Sequence, residues 1–365
     1  MAAGTDPSGF AECWGADAER ATILDVVNVG NLNRPTKDNG GTCAIDVMIE
    51  GGKITKQDLA ASGLAEKTAY NGRVYMDIHE TPEQADAVFT DALASLRYPL
   101  HFVDFETSGS AIPPVAGLKP FESVAFQWSC HTVRSPTAEP EHAEWIDLQQ
   151  PYPSADCARA LLRHMHSFGD RGTMMTWSAY ERTALKVIAE HLRRGLGSGD
   201  TDLARRLDVL RENADADAGI TIVDMEELLK RHHYVHPQAG GRTSIKSLLP
   251  AVLSQCRNER IIRWLEKAEL CRRTRAGIAD PYALLSSDGD VAAGGSALQA
   301  YSRAVFGALS DDERASLRQS LLRYCALDTL AMVIIWEHWL DRFAVPRRSA
   351  LLSRLTAFIR SMIGT

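Results

Sequence analysis

The chain has 365 residues, 45% of them hydrophobic and 24% charged, with a formal net charge of −7. This is the composition of an ordinary globular protein, long enough for one large domain with additions or for two domains. No apolar run approaches the roughly 20 residues that cross a bilayer, and the start, MAAGTDPSGFAECWG, lacks the basic and apolar stretches of a signal peptide. The seven cysteines, at 13, 43, 130, 157, 256, 271 and 325, form no C-x-x-C pair, which argues against a zinc ribbon or an iron–sulfur cluster. An odd cysteine count without an export signal fits reduced thiols and a cytoplasmic location. Given the acidic excess, any nucleic-acid contact requires a local basic surface.

Residues 1–95 alternate Gly-rich polar pieces with short apolar ones and are expected to form a lead-in segment. Within it, TPEQADAVFTDALASL predicts a helix capped by Thr81, with Pro82 in its first turn and Ala87, Val88, Ala92 and Leu96 on one side. From 97 onward the pattern sharpens. HFVDFET, FESVAFQWSCHTV and HAEWIDLQ predict three strands joined by loops, an antiparallel meander. An amphipathic helix over 154–168, a strand TMMTWS, a helix over 181–196 and another over 202–214 follow. GITIVDMEELL predicts a strand running into a helix. TSIKSLLPAVL predicts a helix capped by Thr243 or Ser244, which Pro250 bends or ends. NERIIRWLEKAELCRR, ALQAYSRAVFGAL and the long run from Asp311 to Phe343 predict further helices, with a basic amphipathic helix over 346–365. The expected fold class is α/β, a mixed sheet flanked by helices, occupying 96–345.

Two carboxylates, Asp104 and Glu106, lie two residues apart in the first strand. Side chains at i and i+2 of a strand share a face, so these charges raise each other's pKa. By itself D-x-E on a strand is equally a solvated edge. Tyr324 and Asp328 stand at i and i+4 of the last long helix and share a face there. Glu181 sits where a strand hands over to a helix, a place where an acid also simply complements the helix dipole.

The order strand D-x-E, junction acid, late-helix Y-x-x-x-D resembles the DEDD superfamily of 3′–5′ exonucleases, in particular its tyrosine subgroup. The chain is most similar to an uncharacterised bacterial domain family of that superfamily. The resemblance is carried by Asp104-Phe-Glu-Thr107, Ile112-Pro113, Pro120-Phe121 through Phe126-Gln127-Trp128-Ser129-Cys-His131, Ser244-Ile245-Lys246 to Leu249-Pro250, and Tyr324 to Met332. It covers roughly 95–340 and implies a ribonuclease H-like fold. It also implies a two-metal exonuclease acting on DNA or RNA, with a single-stranded 3′ end as its partner and no membrane. In this resemblance Asp104, Glu106, Glu181 and Asp328 hold two Mg²⁺ or Mn²⁺ ions, and Tyr324 joins them as a catalytic residue. Glu181 departs from the aspartate usual at its position. Relatives often carry an N-terminal PD-(D/E)XK nuclease with a cysteine cluster. The first 95 residues here are too short for it, so a stand-alone version is expected.

The chemistry agrees with the residue types. Paired divalent cations clamp the attacking and leaving oxygens of a phosphodiester, and Mg²⁺ and Mn²⁺ prefer carboxylate and water oxygens. Tyr324, with an ordinary pKa near 10, suits orienting water better than deprotonating it. Thr107 and the 108–119 loop are placed to contact substrate. Gln127, Ser129 and His131 share one strand face, either toward substrate or toward solvent. Lys246, in the first turn of its helix, meets a phosphate or remains a surface lysine. The basic tail, with Arg347, Arg348, Arg354 and Arg360, either touches nucleic acid or covers an apolar face. The alternative function is a catalytically inactive nucleic-acid- or partner-binding module of the same fold.

Overall fold

The computed structural model describes residues 26, 32, 42–53, 55–68, 81–215, 217, 219–287, 301–307 and 309–343. The basic helix expected over 346–365, and the first part of the helix expected over 297–309, lie outside the described residues. Two compact units divide the chain: 1–84 with 233–242, and 85–232 with 243–365. Among the described residues no helix is long and apolar enough to cross a membrane.

In the first unit, α1 (Ala44–Glu50) and α2 (Lys56–Ala61) bury Ile45, Met48 and Leu59 against Val26 and Leu32. Thr55 opens α2 with a capping box: its hydroxyl accepts from Asp58 N at 3.2 Å, and its own N–H donates to the Asp58 carboxylate at 2.9 Å. Gln84 and Val235 pair there as an isolated antiparallel bridge.

The second unit begins with α3 (Phe89–Ala94). The helix predicted with Thr81 as its cap is therefore shorter than expected and starts seven residues later. The backbone groups of Gln84 are committed to the bridge with Val235, and Asp86 N donates to His232 O at 2.9 Å, so neither can enter a helical ladder. The sheet is built from β1 (Leu100–Ser108), β2 (Val124–Val133), β3 (Glu141–Ile146), β4 (Gly172–Thr176) and β5 (Ile220–Asp224). Its order is β3-β2-β1-β4-β5, with β1, β2 and β3 antiparallel and β1, β4 and β5 parallel. This is the expected mixed sheet, an antiparallel meander extended by parallel strands and flanked by helices, as in a ribonuclease H-like fold.

Strand alternation decides what lies on each face. Val103 and Phe105 of β1, with Trp128 and Cys130 of β2, point into an apolar core. That core is completed by α4 (Ser154–His166), α5 (Tyr180–Arg193) and α6 (Thr201–Arg211). The other face is covered by α11 (Asp311–Phe343), the 33-residue helix of the late run. Between α6 and α11 come α7 (Met225–Arg231), α8 (Ile245–Leu253), α9 (Glu259–Lys267) and α10 (Pro281–Ser287). Pro250 lies inside α8 without ending it. Ser244 is its N-cap, but the hydroxyl bonds Ser247 Oγ at 2.9 Å rather than a backbone N–H.

The face under α11 is unusually polar. Cross-strand pairs Asp104 with Ser129, Glu106 with Gln127 and Phe102 with His131, and α11 answers these groups one by one. Gln127 Nε2 donates to Leu321 O at 2.9 Å, and the Thr329 hydroxyl lies 2.8 Å from both Ser129 Oγ and His131 Nδ1. All these side chains are buried. Since a buried polar group left without its partner is destabilising, the pattern fixes both the position and the rotation of α11. Thr329→Val keeps the shape and removes the hydroxyl. We expect it to lower unfolding free energy by about 2 kcal/mol, measured by urea denaturation, whereas the exposed control Thr183→Val should change it by less than about 0.5 kcal/mol.

Candidate metal centre

Four segments converge at the carboxyl end of β1. The strand itself supplies Asp104 and Glu106 on the α11 face. Helix α11 supplies Tyr324 and Asp328, one turn apart. Strand β4 runs parallel to β1, so the turn after Thr176 emerges beside Asp104 and begins α5 with Tyr180 and Glu181. The Trp177 indole N–H donates to Thr243 O at 3.0 Å, tying that turn to the start of α8, which carries Lys246. Together they border a cleft of about 580 Å³.

Asp104, Glu106 and Asp328 each offer an oxygen, and these oxygens all lie within 4.8 Å of one another. Glu181 is not part of that triple, although its charge acts on Asp104 and those of Glu106 and Asp328 act on it. It is buried, and its Oε2 has no hydrogen-bond partner among the described residues. Burial is the main force on every one of these acids, and repulsion from acidic neighbours adds to it at Asp104, Glu106 and Glu181. Glu106 is pushed up to about 8 by burial and then by the Asp328 charge, with Lys246 pulling the other way. Glu181 is pushed up to about 8 by burial and by Asp224, Asp328 and Glu106. Asp328 rises only to about 6, because the Tyr282 phenol and Lys246 stabilise its anion against burial. Asp104 is raised well above the usual range by burial and by its three acidic neighbours.

Residues invisible to the sequence reading complete the site. Tyr282, in α10, donates its hydroxyl to Asp328 Oδ1. The Cys325 thiol lies 3.2 Å from Asp104 Oδ2 and donates to it. Both contacts occupy one oxygen and leave the other carboxylate oxygen available to a cation. Tyr282 sits in a short segment with no periodicity that points at the acids. Cys325, by contrast, follows Tyr324 directly and could have been read from its helix position. Tyr324 is buried, its hydroxyl has no partner among the described residues, and burial followed by the Asp328 charge drives its pKa far up. The Lys246 ammonium lies 5.0 Å from the Tyr324 ring.

Of the residues expected to touch substrate, Thr107 and Lys246 line the cleft, Thr107 with its hydroxyl on the Tyr180 phenol. Gln127 and His131 do not line it. Both are buried under α11 and serve to seat it, so the structure does not place these two at this cleft. Asp224 is a turn residue that caps α7, accepting from Glu226 N at 2.9 Å and Glu227 N at 3.1 Å. A second group, His101, Cys130 and His164, lies on the opposite sheet face around the Thr132 hydroxyl, at 3.0, 3.5 and 3.4 Å. Its donors already share that hydroxyl.

Residues 101–244 match a family model described as a domain of unknown function, DUF2779. No curated protein and no solved structure matches the chain. The matched stretch contains Asp104, Glu106 and Glu181 and stops before Lys246, Tyr324 and Asp328.

An oxygen-only donor set of partly buried acids, two of them with one oxygen already held, fits a hard divalent cation. The raised acids also give a sign. Without metal, their protonated forms favour the folded state, so their contribution is full below the ordinary glutamate pKa of about 4.3. It is lost as pH rises through about 8. We expect the melting temperature in EDTA to fall across that window and Glu106→Gln to flatten the fall. Added Mn²⁺ should raise it most at the alkaline end. Tyr282→Phe should weaken Mn²⁺ binding by roughly tenfold, read by electron paramagnetic resonance of free Mn²⁺.

Proposed function

We propose that the chain is a metal-dependent 3′–5′ exonuclease that hydrolyses phosphodiester bonds of DNA or RNA. The observation that carries the reading is the meeting of Asp104, Glu106 and Asp328 within 4.8 Å, beside a buried phenol and an ammonium in an open cleft. Direction and polymer come from the motif resemblance; the site supplies the chemistry. Asp104, Glu106 and Asp328, with Glu181 at the border, would hold Mg²⁺ or Mn²⁺. Such ions, when bound, offset the charge of the scissile phosphate and lower the pKa of water.

The chain's own groups divide the remaining work. Tyr324 is far too weak an acid to lose its proton near neutrality and so cannot serve as a base; its hydroxyl orients water through a hydrogen bond. Lys246 lowers the potential that the acids impose on an approaching phosphate. Tyr282 and Cys325 hold the two aspartates by one oxygen each. Glu181 standing outside the close triple is the one feature that favours the alternative, an inactive nucleic-acid-binding module.

Single strands labelled at either end distinguish the two. We expect stepwise shortening from the 3′ end with Mg²⁺ or Mn²⁺ and none in EDTA. Asp104→Ala and Asp328→Asn should each lower the rate by on the order of 100-fold or more. Binding without turnover, or activity that survives Asp104→Ala, would exclude the nuclease reading.

A further inference from the structure

A larger cleft, of about 880 Å³, lies on the other side of α11. Arg323, Ala326, Leu327 and Leu330 line it, a stripe at i, i+3, i+4 and i+7. Tyr324, Cys325 and Asp328 face the acids, about half a turn round the same helix. The floor is apolar, from Leu270, Leu285, Leu327 and Leu330. One wall is an imidazole pair, His131 stacked on His142 with ring centroids 4.5 Å apart.

The rim is basic. Arg263, Lys267 and Arg323 are exposed at the cleft, against two carboxylates, Glu139 and Glu141. Both acids are already matched. Glu139 lies 3.6 Å from Arg263 and accepts the Trp264 indole N–H, and Glu141 is held by both Nε and Nη2 of Arg134. Among the lining residues three cations stand against two acids, in a chain whose net charge is −7. A cleft of this size, apolar with a few convergent polar groups, has the dimensions and character of a small-molecule site.

We propose that this second cleft binds a mono- or dinucleotide, with the base against the leucine floor and imidazole wall and the phosphate at Lys267 and Arg323. An open cleft with imidazoles in its wall suits a flat polar ring better than an alkyl chain. The choice of nucleotide rests on the proposed function, whose products are nucleoside monophosphates; the preference for an organic anion does not.

The test is calorimetric titration of the full chain in EDTA with adenosine monophosphate, the dinucleotide pApA and decanoate. Saturable nucleotide binding is expected, weakened roughly tenfold in the double variant Lys267→Glu/Arg323→Glu and unchanged in Asp104→Asn. Both rim residues are exposed, and near-ultraviolet circular dichroism verifies that the variants keep the fold. Absence of saturable binding overturns the proposal. So does loss through Asp104→Asn instead of the rim variants, or tighter binding of decanoate than of nucleotide. Because no metal is present, retained binding in a protein without exonuclease activity would sink the proposed function and leave this site standing.

Discussion

The seating of α11 on a polar sheet face is the constraint from which the site follows. A helix packed only through apolar side chains can slide or rotate by small amounts at little energetic penalty. Here Gln127, Ser129 and His131 present buried donors and acceptors at fixed positions, and Leu321 O and the Thr329 hydroxyl answer them. Thr329 adjoins Asp328, and Leu321 precedes Tyr324 by one turn. A shift that moved Asp328 away from Asp104 would strand buried polar groups on both elements. The hydrogen bonds under the helix therefore set the distance between acids that repel one another.

That repulsion has a physical consequence. Gathering carboxylates in a partly buried cleft is unfavourable when they are ionised, and nothing in the apolar core relieves it. Partial relief comes from Lys246, which acts on both Glu106 and Asp328, from the Tyr282 phenol on Asp328 and from the Cys325 thiol on Asp104. The uneven result, with Asp328 near 6 and Glu106 near 8, follows from where those donors stand. A divalent cation relieves all the acids together, which single hydrogen bonds cannot do.

Local periodicity made much of this readable beforehand. The i, i+2 spacing of Asp104 and Glu106 and the i, i+4 spacing of Tyr324 and Asp328 each fix a shared face whatever the tertiary fold, and the structure keeps both. The five strands also appear where β-branched and aromatic runs placed them. Two kinds of error have physical causes. By sequence Gln127 and His131 suit a surface or substrate face because polar residues usually form one; only the partner helix shows that they are buried, with Gln127 Nε2 and His131 Nδ1 hydrogen-bonded to it. Helix propensity at 81–88 was overridden by backbone bonds to residues about 150 positions away, which no local window contains. Tyr282 belongs to a third kind, a contact across 46 residues that leaves no pattern in either segment.

Glu181 shows how backbone placement and side-chain length combine. Its helix begins at Tyr180, whose phenol bonds the Thr107 hydroxyl at the end of β1, so the start of α5 is pinned to the strand that carries Asp104 and Glu106. With the backbone held, only the side chain can adjust its distance to the acids. A glutamate has one more rotatable bond than an aspartate and so a longer and more adaptable reach. Its buried Oε2 accepts no hydrogen bond from the described residues, while its charge acts on Asp104 and those of Glu106 and Asp328 act on it. Burial first, and then the acids around it, disfavour its charged form, which is why Glu181 is pushed up to about 8.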